Sequence, residues 1–405
     1  MSDTDKSYDP EELLLLWWHT PGNEGYGPPL LFTGDPGEAK SGFIKYIARK
    51  FAVPFLYIDP LAKGEGYSGA VPVISKGGRF GDVLKFPPTQ AIDEMIYQRR
   101  GFIGVDELRN CPVIWQQALQ ALFEGREFGD QKLPVGVRLL ACSNSAKVAT
   151  GGRKLSGPLA NRFTHVDWAG FEPKETLKYL LGNKGKFPQA QKIDVTESDY
   201  TQKDIEKITD AHWDAYFGQA SIDIFGGFLV AKPQMKHVEP KPNSPEMDGP
   251  WPTTRAWTTA ARWIATYRIF NDHTSHKIGK NTLRTVVEGT IGGEAADMLW
   301  KYLKARNLPS PEDFILGKTS IQLDPSVPDV AYTILASAAN YVTNLKDSTE
   351  QHKMAEQLYF KCVEAISSVG IEIALAGAIP LSDAFLARNS AGQTAWQKVF
   401  SKVAR

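Results

Sequence analysis

Residues Gly34-Asp35-Pro36-Gly37-Glu38-Ala39-Lys40-Ser41 carry the residue types and spacing that hold a phosphate group. Successive backbone N–H groups that open into a helix N-terminus surround phosphate oxygens. Gly34 and Gly37 supply the unusual backbone angles of the turn. Lys40 is expected to reach the β- and γ-phosphates of a nucleotide, and the Ser41 hydroxyl to bind magnesium. The predicted binding loop runs on through Gly42. It departs from the pattern G-x-x-x-x-G-K-[S/T] at one place, where Ala39 replaces the second glycine. The position before the lysine is read as entering the helix, where alanine takes helical angles comfortably. Taken alone, these residues could also form a strand-to-helix turn without a ligand, and only partners elsewhere in the chain make them a site.

The apolar stretch Gly101-Phe-Ile-Gly-Val-Asp-Glu-Leu108 ends in two acids. A strand tip of this kind places Asp106 beside a magnesium shell and leaves Glu107 to polarise an attacking water. The next strand, Val137–Cys142, runs into Ser143-Asn144-Ser145, and the Asn144 amide is expected to hold the water or the γ-phosphate. In Pro158-Leu-Ala-Asn-Arg-Phe163, Arg162 stands just before a strand. It reads either as a structural surface charge or as an arginine finger that stabilises phosphate charge in a neighbouring subunit.

These residues need a scaffold of alternating elements, and the sequence provides one. Short apolar runs at Leu30–Thr33, Phe55–Asp59, Phe102–Asp106, Val137–Cys142 and Phe163–Trp168 are separated by helical patterns. One such pattern is Phe43, Ile44, Ile47, Ala48 and Phe51, the spacing of a helix face. Strands apolar on both faces, separated by helices, predict an α/β core with a five-stranded parallel sheet covered on both sides. Residues 60–90 break the alternation with a glycine-rich stretch around Tyr67, read as an inserted hairpin or functional loop. Residues 183–250 are polar, and six prolines fall in 232–252, which predicts a long extended connection. Helical periodicity then returns at Trp251–Ile269, Asn281–Ile291, Glu294–Ala305, Val330–Asn344 and Gln351–Ser368, with a last helix near Thr394–Val403. The expected organisation is a nucleotide-binding core over 1–181, a connection over 182–250, and a helical lid and C-terminal region over 251–405.

Composition narrows the classes of function. Lys+Arg and Asp+Glu both number 46, so the formal net charge is zero and no basic field points to nucleic acid. Cys111, Cys142 and Cys362 are far apart and form no C-x-x-C, which predicts a reducing compartment without a disulfide framework. The apolar run Leu13–Trp18 is too short for a signal peptide or membrane span. A soluble cytoplasmic protein is expected, with no membrane role. His273 and His276, beside Asp272, read as surface polar residues rather than a metal site, and Lys174 to Lys192 as a solvated basic stretch.

In this order the motifs resemble those of AAA+ ATPases of the MoxR-like group, in particular the stand-alone ATPases of phages and bacteria. Loops of that group often end in Ala-Lys-Ser or Ala-Lys-Thr, as here. Leu133–Trp168, with its "PLANRF" and closing "HVDW", is similar to the group, as are Trp251–Trp263 and Glu288–Gly317. The similarity runs from about Pro29 to Asn344. It implies an AAA+ P-loop core followed by a helical lid, with ATP and Mg²⁺ as cofactors. Gly34, Gly37, Lys40 and Ser41 look like Walker A, and Asp106 and Glu107 like Walker B. Asn144 is similar to sensor 1, Arg162 to the arginine finger, and Arg255 to the nucleotide-contacting arginine of sensor 2. The resemblance further implies a homo-hexameric ring with ATP between subunits. Its expected activity is chaperone-like remodelling of a client protein, with a separate von Willebrand factor A domain partner, since no D-x-S-x-S occurs here. Tyr67 falls where the group places an insert near its central pore. Arg126 and Arg153 are weighed as second trans-acting arginines, with an exposed basic side chain the simpler reading of each. Two other functions share the motifs: a nucleic-acid translocase or phage replication or packaging ATPase, and a nucleotide-stabilised scaffold with little turnover. Glu107 argues against the scaffold, which has no need of it.

Overall fold

A computed structural model describes residues 8–22, 26–59, 73–78, 81–85, 88–111, 113–144, 154–168, 195–241, 244–305, 308–319, 321 and 323–386. Strands β1 (Leu30–Gly34), β2 (Phe55–Ile58), β5 (Arg100–Val105), β8 (Gly136–Asn144) and β9 (Thr164–Asp167) form one parallel sheet in the order β2-β5-β8-β1-β9. Two hairpins stand outside it, β3 (Val73–Gly78) with β4 (Gly81–Lys85), and β6 (Glu127–Phe128) with β7 (Gln131–Lys132). The first falls inside the expected insertion, and Tyr67 lies outside the described residues.

Alternation along the central strands explains why the sheet is sandwiched. Leu30 and Phe32 of β1 join one apolar cluster while Leu31 joins another. Phe102 and Ile103 of β5, and Leu140 and Leu139 of β8, divide in the same way. Neighbouring residues on a strand point to opposite faces, so each face has its own core and needs its own helices. Helix α1 (Pro10–His19) and α2 (Lys40–Lys50) cover one face, and residues of α3 (Gln90–Gln98) and α4 (Val113–Gly125) pack in the cluster on the other. Helix α1 begins where Asp9 accepts the N–H groups of Glu11 and Glu12, a side-chain cap on otherwise orphaned donors. Its apolar run, Leu13 to Trp18, is core.

Beyond a short helix α5 (Gly157–Ala160) the structure departs from the expected organisation. Residues 195–231 are not an extended connection. They form helix α6 (Val195–Ser221), which passes through a π-helical stretch (Ile222–Phe228) into α7 (Leu229–Ala231). Averaged composition hid a helical stripe: Ile205, Thr209, Ala220, Ile224 and Phe228 are buried, with Trp213, Tyr216 and Phe217 packed against the core. The prolines fall after this helix. Within the π-helical stretch, buried Asp223 pairs with Arg268 at 2.9 Å and accepts a bond from Gln219 at 3.1 Å.

The C-terminal helices are α8 (Thr254–His273), α9 (Lys280–Ile291), α10 (Gly293–Ala305), α11 (Pro311–Ile315), α12 (Pro328–Thr343), α13 (Ser348–Val369) and α14 (Ile371–Leu386). Helices α11 and α14 are additional to the expected set, and the helix expected near Thr394–Val403 lies outside the described residues. Helix α9 comes so close to β9 that a Cβ on Gly289 would sit 1.8 Å from the His165 carbonyl oxygen. Trp263 Nε1 lies 3.2 Å from both Thr164 Oγ1 and Thr290 Oγ1, which seals the same junction. Helices α11 to α14 enclose a separate core of their own. The expected fold class, a parallel five-stranded α/β core followed by a helical region, is the one observed. No helix among the described residues is long and apolar enough to cross a membrane.

Candidate nucleotide site

Strand register assembles the site. Gly34 at the end of β1 lies opposite Asn144 at the end of β8, and Val105 of β5 lies opposite Ala141 of the same strand. The Asp106 N–H continues the ladder to the Ile58 carbonyl at 2.8 Å. The phosphate-type loop, the two acids and the asparagine therefore meet at the C-terminal edge of the sheet, where open α/β folds place their ligands.

The loop carries two left-handed residues, and Gly34, expected to supply an unusual angle, is not one of them but closes strand β1. Gly37 has φ +86°, and a Cβ added there would meet nothing within 4 Å, so the turn borders open space. Ala39 has φ 59° and ψ 24° at the N-cap of α2. The expectation that Ala39 shares right-handed helical angles is therefore wrong. The loop keeps the backbone shape of a glycine there, and the methyl group bears a strain of about 1–2 kcal/mol against the following carbonyl. Ala39 makes no side-chain capping bond, so the N–H groups opening α2 have no acceptor from it.

Lys40 is 7% exposed, and its Nζ donates to Gly34 O at 3.0 Å, Asp35 O at 2.6 Å and Asn144 Oδ1 at 3.0 Å. Among the described residues it forms no ion pair. A buried ammonium held by three neutral oxygens, beside an uncapped helix start, has the charge and donors that could hold an anion such as a nucleotide phosphate. Asp35 to Ala39 and Gly42 are exposed around it, and Trp168 Nε1 donates to Glu38 O at 2.7 Å, pinning the loop to the end of β9.

Asn144 joins the two halves of the site. Its Nδ2 lies 3.1 and 3.2 Å from the two carboxylate oxygens of Glu107, while its Oδ1 accepts from Lys40. Glu107 is left-handed at φ 50° and opens a 3-10 turn over Leu108–Asn110. Asn110 Nδ2 donates to Glu107 Oε2 at 2.6 Å. Burial first, and the neighbouring Asp106 second, push the Glu107 carboxyl above its ordinary value, while Lys40, Asn144 and Asn110 oppose them.

Asp106 is 4% exposed; its Oδ1 accepts the Glu107 N–H at 3.0 Å and its Oδ2 accepts from Tyr57 Oη at 2.6 Å. Burial, followed by the bond to Asp106, drives the Tyr57 phenol upward. One phenol thus holds Asp106, which together with Ser41 is expected to bind magnesium. A carboxylate and a hydroxyl are hard oxygen donors, so the pair fits that ion. Tyr57 is a site residue that the motifs do not announce; its one signal is a polar tip on an otherwise apolar strand next to the acids.

Arg162 and Arg255 meet elsewhere, at Glu124 on α4. Arg162 Nη2 forms an ion pair with Glu124 Oε1, and Nη1 donates to the Pro158 carbonyl. Arg255 Nη2 stands 3.9 Å from the same Glu124 oxygen. Neither arginine bonds Lys40, Asp106, Glu107 or Asn144 among the described residues. Arg126 is buried rather than exposed: its guanidinium donates to the Gly27 and Val137 carbonyls and lies 5.1 Å from the Tyr26 ring. It is a structural residue, and Arg153 lies outside the described set. No group of three or more His, Cys, Asp or Glu that could hold a metal occurs among the described residues.

No family model matches the chain, and no curated protein matches it. Among solved structures it is similar to a putative ATPase from Cytophaga hutchinsonii ATCC 33406, at 18% identity and a TM-score of 0.45, over 73% of this chain and 88% of that one. A likeness at that level assigns no activity, and the chemistry rests on the chain's own residues.

Proposed function

We propose that this chain is a magnesium-dependent ATPase of the AAA+ kind, MoxR-like, that works as a homo-hexameric remodelling motor on a client protein, together with a separate von Willebrand factor A domain partner. The observation that supports the ATPase reading most is Asn144, whose single amide touches both Lys40 and Glu107. When bound, ATP with Mg²⁺ supplies a γ-phosphoryl group whose transfer to water spreads charge over its oxygens. Residues Gly34 to Gly42 bind the phosphates through backbone N–H groups, and Lys40 adds a fixed positive charge. Ser41 and Asp106 hold the metal, with Tyr57 fixing the Asp106 carboxylate. Glu107 takes the proton of the attacking water, and burial makes it a stronger base than a free carboxylate. Asn144 orients that carboxylate.

Arg162 acts on the site of the next subunit, and Arg255 reports on the nucleotide of its own. In the present arrangement both are held at Glu124, so the reading requires them to leave it when the ring closes on ATP. The test is binding of a fluorescent ATP analogue beside phosphate release. Lys40→Ala should lose binding, whereas Glu107→Gln should keep binding and lose turnover. Mass photometry with and without ATP and magnesium reads the ring: nucleotide-dependent assembly is expected, and a persistent monomer would remove the trans role of Arg162.

A further inference from the structure

Glu107 holds a left-handed backbone, φ 50° and ψ 40°, which a non-glycine residue keeps only when its surroundings over-determine it. Upstream, the N–H of Glu107 is tied to Asp106. Downstream, the anchor is Arg109. This arginine is 4% exposed, and arginine is almost never buried without a partner. Its Nη1 forms an ion pair with Oδ2 of Asp248, itself 7% exposed, and its Nη2 lies 3.5 Å from the Asp248 carbonyl oxygen. The Arg109 N–H donates to Ser143 Oγ at 3.2 Å, one residue before Asn144.

Asp248 reaches further. Its Oδ1 accepts the Leu155 N–H at 2.8 Å, on the segment that leads to Arg162. Its own chain opens α8 a few residues later, with Arg255 in the first turn. A second tie runs alongside: Asn161 Nδ2 donates to Trp251 O at 2.8 Å, and Thr253, the N-cap of α8, donates its hydroxyl to Asn161 Oδ1 at 2.8 Å. One buried carboxylate thus touches the turn after Glu107, the arm bearing Arg162 and the entry to the helical region. Stability is a poor reason for it, because a buried ion pair is often no better than an apolar pair of the same size. A fixed geometry is the better reason.

We propose that Asp248 is a positioning residue for Glu107: through Arg109 it sets the carboxylate at the site and couples it to the entry of the helical region. This rests on the ATPase reading. A movement of the 245–253 segment would shift Arg109, and with it the turn that carries Glu107.

The test uses the full chain and separates binding from turnover. Asp248→Asn keeps an acceptor for Leu155 but removes the charge that pairs with Arg109. Expected are an ATP-analogue Kd within about twofold of wild type and a kcat lowered about tenfold or more, the pattern of an interaction used only in the transition state. Because breaking a buried pair can unfold a protein, Ser143→Ala is the second variant: it frees the Arg109 N–H without stranding a charge. A kcat lowered about threefold at unchanged Kd is expected for it. Asp248→Glu should restore part of the turnover lost in Asp248→Asn. The inference is overturned if folded Asp248→Asn or Ser143→Ala turns over at the wild-type rate. It is overturned equally if the number of ATP-analogue sites per chain and kcat fall together in proportion to lost folded protein. A wild-type chain that binds no ATP overturns the ATPase reading beneath it instead.

Discussion

Two clusters of charge on this molecule are built in opposite ways. At Lys40–Asn144–Glu107 a buried cation and a half-buried acid are held apart by one neutral amide, with every named polar contact at 3.2 Å or less. At Glu124 two arginines share one partly exposed carboxylate, one in contact and the other at 3.9 Å. Burial and the neighbouring Arg162 both press the Arg255 guanidinium downward, while Glu124 opposes them. The first cluster is complete within one chain. The second carries more positive charge than its single acid balances, which is how a surface waiting for an anion from elsewhere would look under the proposed function.

The largest expected effects fall on the first cluster. Lys40→Ala should abolish ATP-analogue binding. Glu107→Gln should leave binding intact and cut phosphate release by about 10²–10⁴-fold, the range of a general base. A Glu107→Gln protein that loses binding as well would mean the carboxylate shapes the phosphate site rather than the water.

Next comes the second cluster. Arg162→Ala should lower phosphate release by about 10³-fold or more, as loss of an arginine finger does. Mixing Arg162→Ala with Lys40→Ala then sharpens the contrast. Each is inactive alone, yet mixed rings contain sites with Lys40 from one subunit and Arg162 from its neighbour. Phosphate release that returns on mixing places Arg162 in trans; a mixture as inactive as its components removes that role.

Smaller effects test the backbone. Ala39→Gly should relieve the left-handed strain and, after the entropy glycine costs in the unfolded chain, raise stability by at most about 1 kcal/mol, with binding kept. Denaturant unfolding with an unchanged m-value checks this. Lost stability would mean the alanine methyl has a packing role.

The smallest effect concerns pH. Glu107 binds its proton more tightly in the folded chain than in the unfolded one, so its contribution to stability is whole below its ordinary value of 4.5 and is lost as pH rises through the raised value. Glu107→Gln should therefore raise the melting temperature more at pH 8 than at pH 4, with no gain at the acid end. An equal shift at both pH values would show that burial of the charge is not what the substitution relieves.

Much of the site is legible in the sequence because its parts sit where periodicity changes. Leu30–Phe32, Phe102–Val105 and Leu139–Cys142 are apolar without a break, so the sheet is evident, and the chemistry-bearing residues come directly at strand ends. The left-handed Ala39 is not legible, since the residue type gives no sign of the angle that the turn imposes. Nor are Tyr57, Glu124 and Asp248, whose partners lie far along the chain and meet them only through register and packing. Helix α6 is hidden for another reason: its buried stripe is diluted by charged residues, so a polar average masks a regular spacing.

The most direct test is phosphate release by the wild-type chain at saturating ATP and magnesium, run beside Glu107→Gln with analogue binding measured on both. Turnover by the wild type, with equal binding and almost no turnover by Glu107→Gln, is the expected result. Hydrolysis by Glu107→Gln at the wild-type rate, or a wild-type chain that binds no ATP, would contradict it.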